Sequence, residues 1–393
     1  MHNIQEADDL LDGIVDNVVS EPGTRTVKSN FEAWHLPRKQ FVRIKQWVSL
    51  IERNQSRILN GKNTLSYLSL PGDDLLDLRV IHDRFCVQND VTLKFLGFNK
   101  YPRDINDPRH YDINLSLVEV KERKFIAQES VVLNNDINQI GSPGSSAHIA
   151  AQEHGPFDVI NLDFCDSIFS KQEKNLNPHE LLREIIYLQS SRRSPWLMFI
   201  TTRVGKQHID KETLDKLMEC FQENLRHPEF LQAAKEHLSI EDFTDVAKAI
   251  NDHDSHIDLT LISLVKWLLS YCFSFQPKTK IELNSTLTYV VDNRSQGVDI
   301  VSFALLFTPL DERPNDKFSL MPPLSNAKNI TEPEVAIKVI ERVLKRKNCD
   351  DILKENKTIW EDMLIQTEEL LSQSRYNMAD YKTWLSRHFS TPA

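Results

Sequence analysis

A chain of 393 residues can build one large core or two smaller ones. With 40% hydrophobic and 26% charged residues, its composition is that of an ordinary water-soluble protein, not a fibrous or disordered one. Asp and Glu (57) outnumber Lys and Arg (47), and a net charge of −10 excludes a broadly basic surface for nonspecific nucleic-acid binding while leaving room for a local basic groove.

Residues 1–21 carry six acidic side chains and no Lys or Arg. Leu10, Leu11, Ile14, Val15, Val18 and Val19 recur at helical spacing, so 1–25 reads as an acidic amphipathic helix with a linker, suited to a protein partner. The sign then reverses. Residues 26–60 form a basic helical extension in which Phe41, Ile44, Trp47, Val48 and Ile51 make one packed face. Arg38, Lys39 and Arg43 are its candidate phosphate-contacting residues.

From residue 61 short apolar runs alternate with helical stretches. "TLSYLSLPG" (64–72), "VTLKFLGFN" (91–99), "SVVLNND" (130–136), "FDVINLDF" (157–164) and "PWLMFITTRV" (195–204) read as strands. Helical patterns lie at 75–85 and 177–191. Residues 206–275 are helical throughout, and 280–307 reads as an antiparallel hairpin around "DNRSQG". Two further helices, at 332–347 and 358–374, fall in a helical tail, 311–393. Such alternation specifies an α/β fold, a doubly wound and mostly parallel sheet in 61–310 with a helical insertion at 206–275. The most apolar segment, "LTLISLVKWLLSYCFSF" (259–275), holds Lys266 and is shorter than the ~20 apolar residues of a membrane span. The N-terminus lacks a signal pattern and the five cysteines form no CxxC pair, so the expectation is a cytoplasmic protein away from membranes.

Five strand–helix units, a helical region and a terminal hairpin resemble a class I S-adenosylmethionine-dependent methyltransferase, whose sheet is doubly wound with its last strand inserted antiparallel. The resemblance covers about residues 60–310 and directs attention to the strand ends, where open α/β sheets bind ligands. At the first end "LPGDD" supplies Gly72 and Asp73, with one glycine where the family has a run. Asn99 stands at the second end, where the family has a carboxylate for the ribose hydroxyls. Asp136 occupies the third, the place of an acid that contacts the adenine amino group. Asp163 and Phe164 stand at the fourth, facing the acceptor, without the prolines of amino-group methyltransferases. The resemblance therefore implies S-adenosylmethionine as cofactor and a divergent methyltransferase. The basic stretch 38–57 favours nucleic acid as substrate.

Two alternatives differ in chemistry. The missing glycines and the Asn at the second strand end suit a methyltransferase-like scaffold that has lost catalysis. Alternatively, Asp112 with Glu119 and Lys121 on neighbouring strands would make a Mg²⁺-dependent nuclease, two carboxylates holding the metal and the lysine aiding water; a plain surface helix is the competing reading of that segment. The histidines show no metal spacing. "GSPGSSAHIAAQEHG" (141–155) reads as a small-residue loop, either a lid or a connection.

Overall fold

The computed structural model describes residues 27–104, 107–164, 166–170, 177–275, 277–291, 297–310 and 330–388. The expected acidic helix at 1–21 lies outside them. One sheet organises the rest: β1 Thr64–Ser69, β2 Thr92–Asn99, β3 Val131–Asn134, β4 Val159–Asp163, β5 Trp196–Arg203, β6 Thr279–Tyr289, β7 Ile300–Pro309 and the two-residue β8 Lys347–Asn348. Their spatial order is β3-β2-β1-β4-β5-β7-β6-β8. β1 to β5 pair in parallel, and β7 is inserted antiparallel between β5 and β6. The fold is α/β and Rossmann-like, as expected from the order of elements.

Both faces of this sheet are covered, which is why its strands are nearly continuous apolar runs. Three parts of the chain lie on one face. They are the N-terminal rod (α1 Pro37–Phe41, a π-helical stretch Val42–Val48 and α2 Ser49–Leu59), then α3 Leu76–Ile81, then α4 Pro108–Lys121. On the other face lie α5 Ser146–His154, α6 Pro178–Gln189, α7 Lys211–Asn224, α8 Pro228–Leu238, α9 Phe243–Ala249, α10 His253–Phe273 and α11 Glu332–Val343. The chain then returns to the first face with α12 Cys349–Glu355, α13 Lys357–Ser372 and α14 Met378–His388. Period-two alternation sorts the strands between the faces: Trp196, Met198 and Ile200 of β5 point one way, Leu197 and Phe199 the other.

A register shift between Leu283 and Ser285 breaks that alternation in β6. Ile281 and Leu283 join the core under α10, but Leu287 and Tyr289 join the core under α1. One extra residue in a strand does this by reversing every side chain beyond it. The bulge is what delivers Tyr289 to the polar site described below.

Three expectations need correction. Asp112, Glu119 and Lys121 share the single helix α4, so no pair of strands presents them to a metal. Arg375 binds Asp112 (3.2 Å) and Arg79 binds Glu119 (2.7 Å), while Lys121 Nζ donates to the Gln128 carbonyl. Both carboxylates are engaged in ion pairs, so the nuclease arrangement is overturned. The small-residue stretch 141–155 is mostly α5, whose first turn is capped by Ser145 accepting from His148 N (3.1 Å). The apolar segment at 259–275 belongs to a 21-residue helix, α10, long and apolar enough to cross a membrane by length and composition. Yet 78% of its most apolar stretch is buried in the protein, and Lys266 within it meets Glu332 at 2.8 Å. α10 is packed here as a core helix.

Candidate functional site

The strand order reverses between β1 and β4, the switch point at which doubly wound sheets open a crevice. Polar residues gather at the carboxyl ends of β1 to β4, and Asp73, Asn99, Asn134, Asp136, Asp163 and Phe164 are all partly exposed there. β1 ends in a turn in which Gly72 takes φ +63°, with open space where a side chain would stand. That turn lies close over β2. A Cβ on Gly97 would meet Pro71 Cγ and Val132 Cγ2 at 3.0 Å, so glycine at 97 lets the turn approach without displacing them.

Two of the four expected cofactor residues meet directly. Asn99 Nδ2 donates to Asp73 Oδ1 at 2.9 Å, bridging the first two strand ends. Arg109, on α4, grips the same carboxylate, Nε to Oδ2 at 2.8 Å and Nη2 to Oδ1 at 3.2 Å. Asp136 caps the turn Ile137–Gly141 by accepting from Asn138 N (2.9 Å) and Nδ2 (3.0 Å). The next carboxylate, Asp74, is buried and held by Lys28 (2.5 Å) and the Tyr376 hydroxyl (2.7 Å). Residues from both ends of the described chain therefore fix the β1 turn.

Asp163 has the most unexpected partner. Lys39 Nζ donates to its Oδ1 at 2.6 Å, and the same ammonium lies 4.9 Å from the centre of the Trp47 ring. Arg43 Nε donates to Asp77 Oδ1 at 2.6 Å. Burial alone would depress the Lys39 pKa, but Asp163, Tyr289 and Asp77 together outweigh it and hold the lysine well above its ordinary value. Burial pushes Asp77 up despite Arg43. It also pushes the Tyr289 hydroxyl far up. The network is two cations, two carboxylates and a neutral phenol under α1. Thr201, Ser302 and Gln46 form a separate chain of hydrogen bonds, Thr201 Oγ1 to Ser302 Oγ (2.9 Å) and Ser302 Oγ to Gln46 Oε1 (2.7 Å).

The three cations expected on an exposed face thus point inward. Arg38, Lys39 and Arg43 are all buried, Arg38 against Asp350 (3.1 Å). Lys45, Arg53 and Arg57 form the exposed cationic side of the rod instead. Sequence reasoning missed Lys28, Asp74, Asp77, Arg109, Tyr289 and Tyr376. Asp77 did carry a signal, a charge on the apolar side of a helical pattern.

Residues 28–386 match the sequence profile described as PP_RS20740-like. The chain belongs to that family. No curated protein matches the chain. Among solved structures, a provisional class I S-adenosylmethionine-dependent methyltransferase of Listeria monocytogenes is similar at 9% identity. That match covers 80% of this chain and 78% of the other, with a TM-score of 0.33. So loose a likeness adds nothing to the strand order itself.

In this PP_RS20740-like protein the strand ends offer acceptors rather than nucleophiles. No group of three or more His, Cys, Asp or Glu is placed to hold a metal among the described residues. Cys86, Cys272 and Cys349 are buried thiols whose pKa burial pushes up, which suits packing and not attack. What remains is hydrogen-bond recognition at β1 to β3 and one neutralised carboxylate at β4.

Proposed function

We propose that this chain is a divergent S-adenosylmethionine-dependent methyltransferase. The cofactor would lie across the ends of β1 to β3, and the acceptor would meet Asp163 and Phe164 at β4. The observation that carries the reading is the Asp73–Asn99 bridge beside the open turn at Gly72, at the switch point of a sheet in which β7 is inserted antiparallel between β5 and β6. The residues fit the group: Gly72 leaves room for close approach, and Asn99 and Asp73 are partly exposed acceptors for a ribose diol. Asp136 keeps one carboxylate oxygen for an exocyclic amine. When bound, S-adenosylmethionine would supply an electrophilic methyl group. The chain's own part is positioning, the main requirement of such a transfer. Asp163 gives one oxygen to Lys39 and keeps the other to accept a hydrogen bond from an acceptor N–H. Lys39 fixes the orientation of the Asp163 carboxyl group for that role.

A second reading has its own support. Both Asp73 oxygens are already occupied by Asn99 and Arg109, and the β1 turn has a single glycine. Those features suit a methyltransferase-like scaffold. Calorimetric titration with S-adenosylmethionine and S-adenosylhomocysteine separates the two. Micromolar binding that weakens about tenfold in Asn99→Ala and Asp136→Ala supports the enzyme and justifies an acceptor screen over RNA, DNA and nucleotides. Absence of binding of either compound to folded protein rejects it in favour of the scaffold.

A further inference from the structure

An apolar stripe runs along the outer side of α4. Tyr111 is 47% exposed and Val118 53%, with the half-buried Leu115 between them at helical spacing. The opposite side of the helix, Ile113, Ser116 and Val120, is buried. Single exposed apolar residues are ordinary, but three aligned on one helix form a surface on which another helix can pack. The described chain begins beside it. Lys28 N donates to the Arg375 carbonyl (2.8 Å), and Asn377 N donates to the Lys28 carbonyl (2.8 Å). The Lys28 ammonium stands 3.6 Å from Asp112, the neighbour of Tyr111 in sequence, and Arg375 holds Asp112 at 3.2 Å and Ser116 at 3.1 Å. Residues 1–26 are thus tethered at the flank of α4.

Their chemistry matches the stripe. Leu11, Ile14, Val15 and Val18 fall on one side of a helical projection, and Asp9, Asp12 and Asp16 fall on the other. At roughly 1.5 Å per residue, 4–19 would make a helix about 24 Å long against about 21 Å for α4. Residues 20–26 can span up to about 23 Å when extended, enough to turn the chain back from Lys28. So short a helix is marginal in water by itself and needs a surface for its apolar side. A second copy is a poorer occupant, because three side chains fall far short of the roughly 800 Å² per partner of a stable dimer. We infer that residues 4–19 fold as a helix on Tyr111, Leu115 and Val118 of their own chain, with their carboxylates left in water. The same α4 carries Arg109, so this strap braces the helix that grips Asp73. The inference is independent of the methyltransferase reading.

The test is hydrogen–deuterium exchange of the full chain read by mass spectrometry, at two protein concentrations with the particle mass followed by light scattering. Backbone amides of residues 8–19 should exchange at least about tenfold more slowly than the unstructured rate in the parent. Val118→Glu, at a half-exposed position, should abolish that protection, as should Leu11→Glu combined with Val15→Glu, while β1 to β5 exchange as in the parent. Phe243→Glu, 52% exposed on α9 across the sheet, should leave it intact. Exchange of 8–19 at the unstructured rate in the parent overturns the proposal and leaves these residues for a separate partner. Protection that survives Val118→Glu overturns it too, since the segment then packs elsewhere. Protection that appears only with a rise in mass on concentration gives the stripe to a second copy, and overturns it as well.

Discussion

Asp73 and Asp163 stand at the ends of parallel strands in one sheet, and each is bound by a cation, but the two pairs differ in kind. Arg109, the partner of Asp73, has a side chain 52% exposed; Lys39, the partner of Asp163, is 5% exposed. An exposed pair exchanges readily with water and contributes little, whereas a buried pair leaves an uncompensated charge when one member is lost. Asp73 is therefore latched and Asp163 is built in. The first could release its cation to a ligand; the second keeps its lysine.

The largest test of this contrast is Lys39→Met. It strands Asp163 beside Asp77 and removes the cation over Trp47, and should cost about 3–5 kcal/mol in urea unfolding. Adding Asp163→Asn should restore a large part, because the stranded charge goes with it. A loss below about 1 kcal/mol would show Asp163 to be solvated and would erase the distinction from Asp73.

The same contrast explains what could be read from sequence. The strands were legible because buried parallel strands are apolar runs bounded by turn residues, and their order with the intervening helices gave the α/β class. Gly72, Asp73, Asn99, Asp136 and Asp163 were legible as strand ends, since each closes such a run. The direction of Lys39 was not. A helical wheel sends cations to solvent by default, and the carboxylates that reverse this for Lys39, Arg43 and Arg38 are 124, 34 and 312 residues away. Long-range neutralisation leaves no local trace. The α5 helix was a different failure: Ser145 was a readable cap, hidden by the glycines beside it. The bulge that turns Tyr289 toward Lys39 depends on pairing with β7, which no single strand reveals.

A middle-sized effect concerns His35, buried beside the latch on the β1 turn, 4.0 Å from Asp74. Burial lowers its pKa from 6.5 to about 3, with Arg43 and Lys28 adding to that and Asp74 opposing it. The folded state therefore holds the neutral ring while the unfolded chain takes up a proton below pH 6.5. Stability from this group is complete above that value and declines as pH falls toward 3. Between pH 7 and 5 the decline should be on the order of 1–2 kcal/mol. Other groups are shifted by folding as well: burial lowers His256 to about 4 and raises Asp77, Asp258 and Asp350. The informative quantity is therefore the difference between the parent and His35→Gln, followed by denaturant melts across that range. Parallel curves for the two proteins would mean that His35 is protonated in the fold.

The smallest change in stability and the sharpest test of the latch is Arg109→Ala. Its side chain is half exposed and its guanidinium donates to the Asp73 carboxylate, so unfolding should change by less than about 1 kcal/mol. Binding should move the other way from an ordinary site mutation. If Asp73 serves a ribose diol, the parent must first give up Arg109, and removing that competitor should tighten S-adenosylhomocysteine about two- to fivefold. Weaker binding in Arg109→Ala would make the arginine part of the ligand's own contacts, and the strand-end carboxylates would then differ in exposure but not in availability. Unchanged binding would move the ligand off Asp73 altogether, leaving Asn99 and Asp136 to hold it.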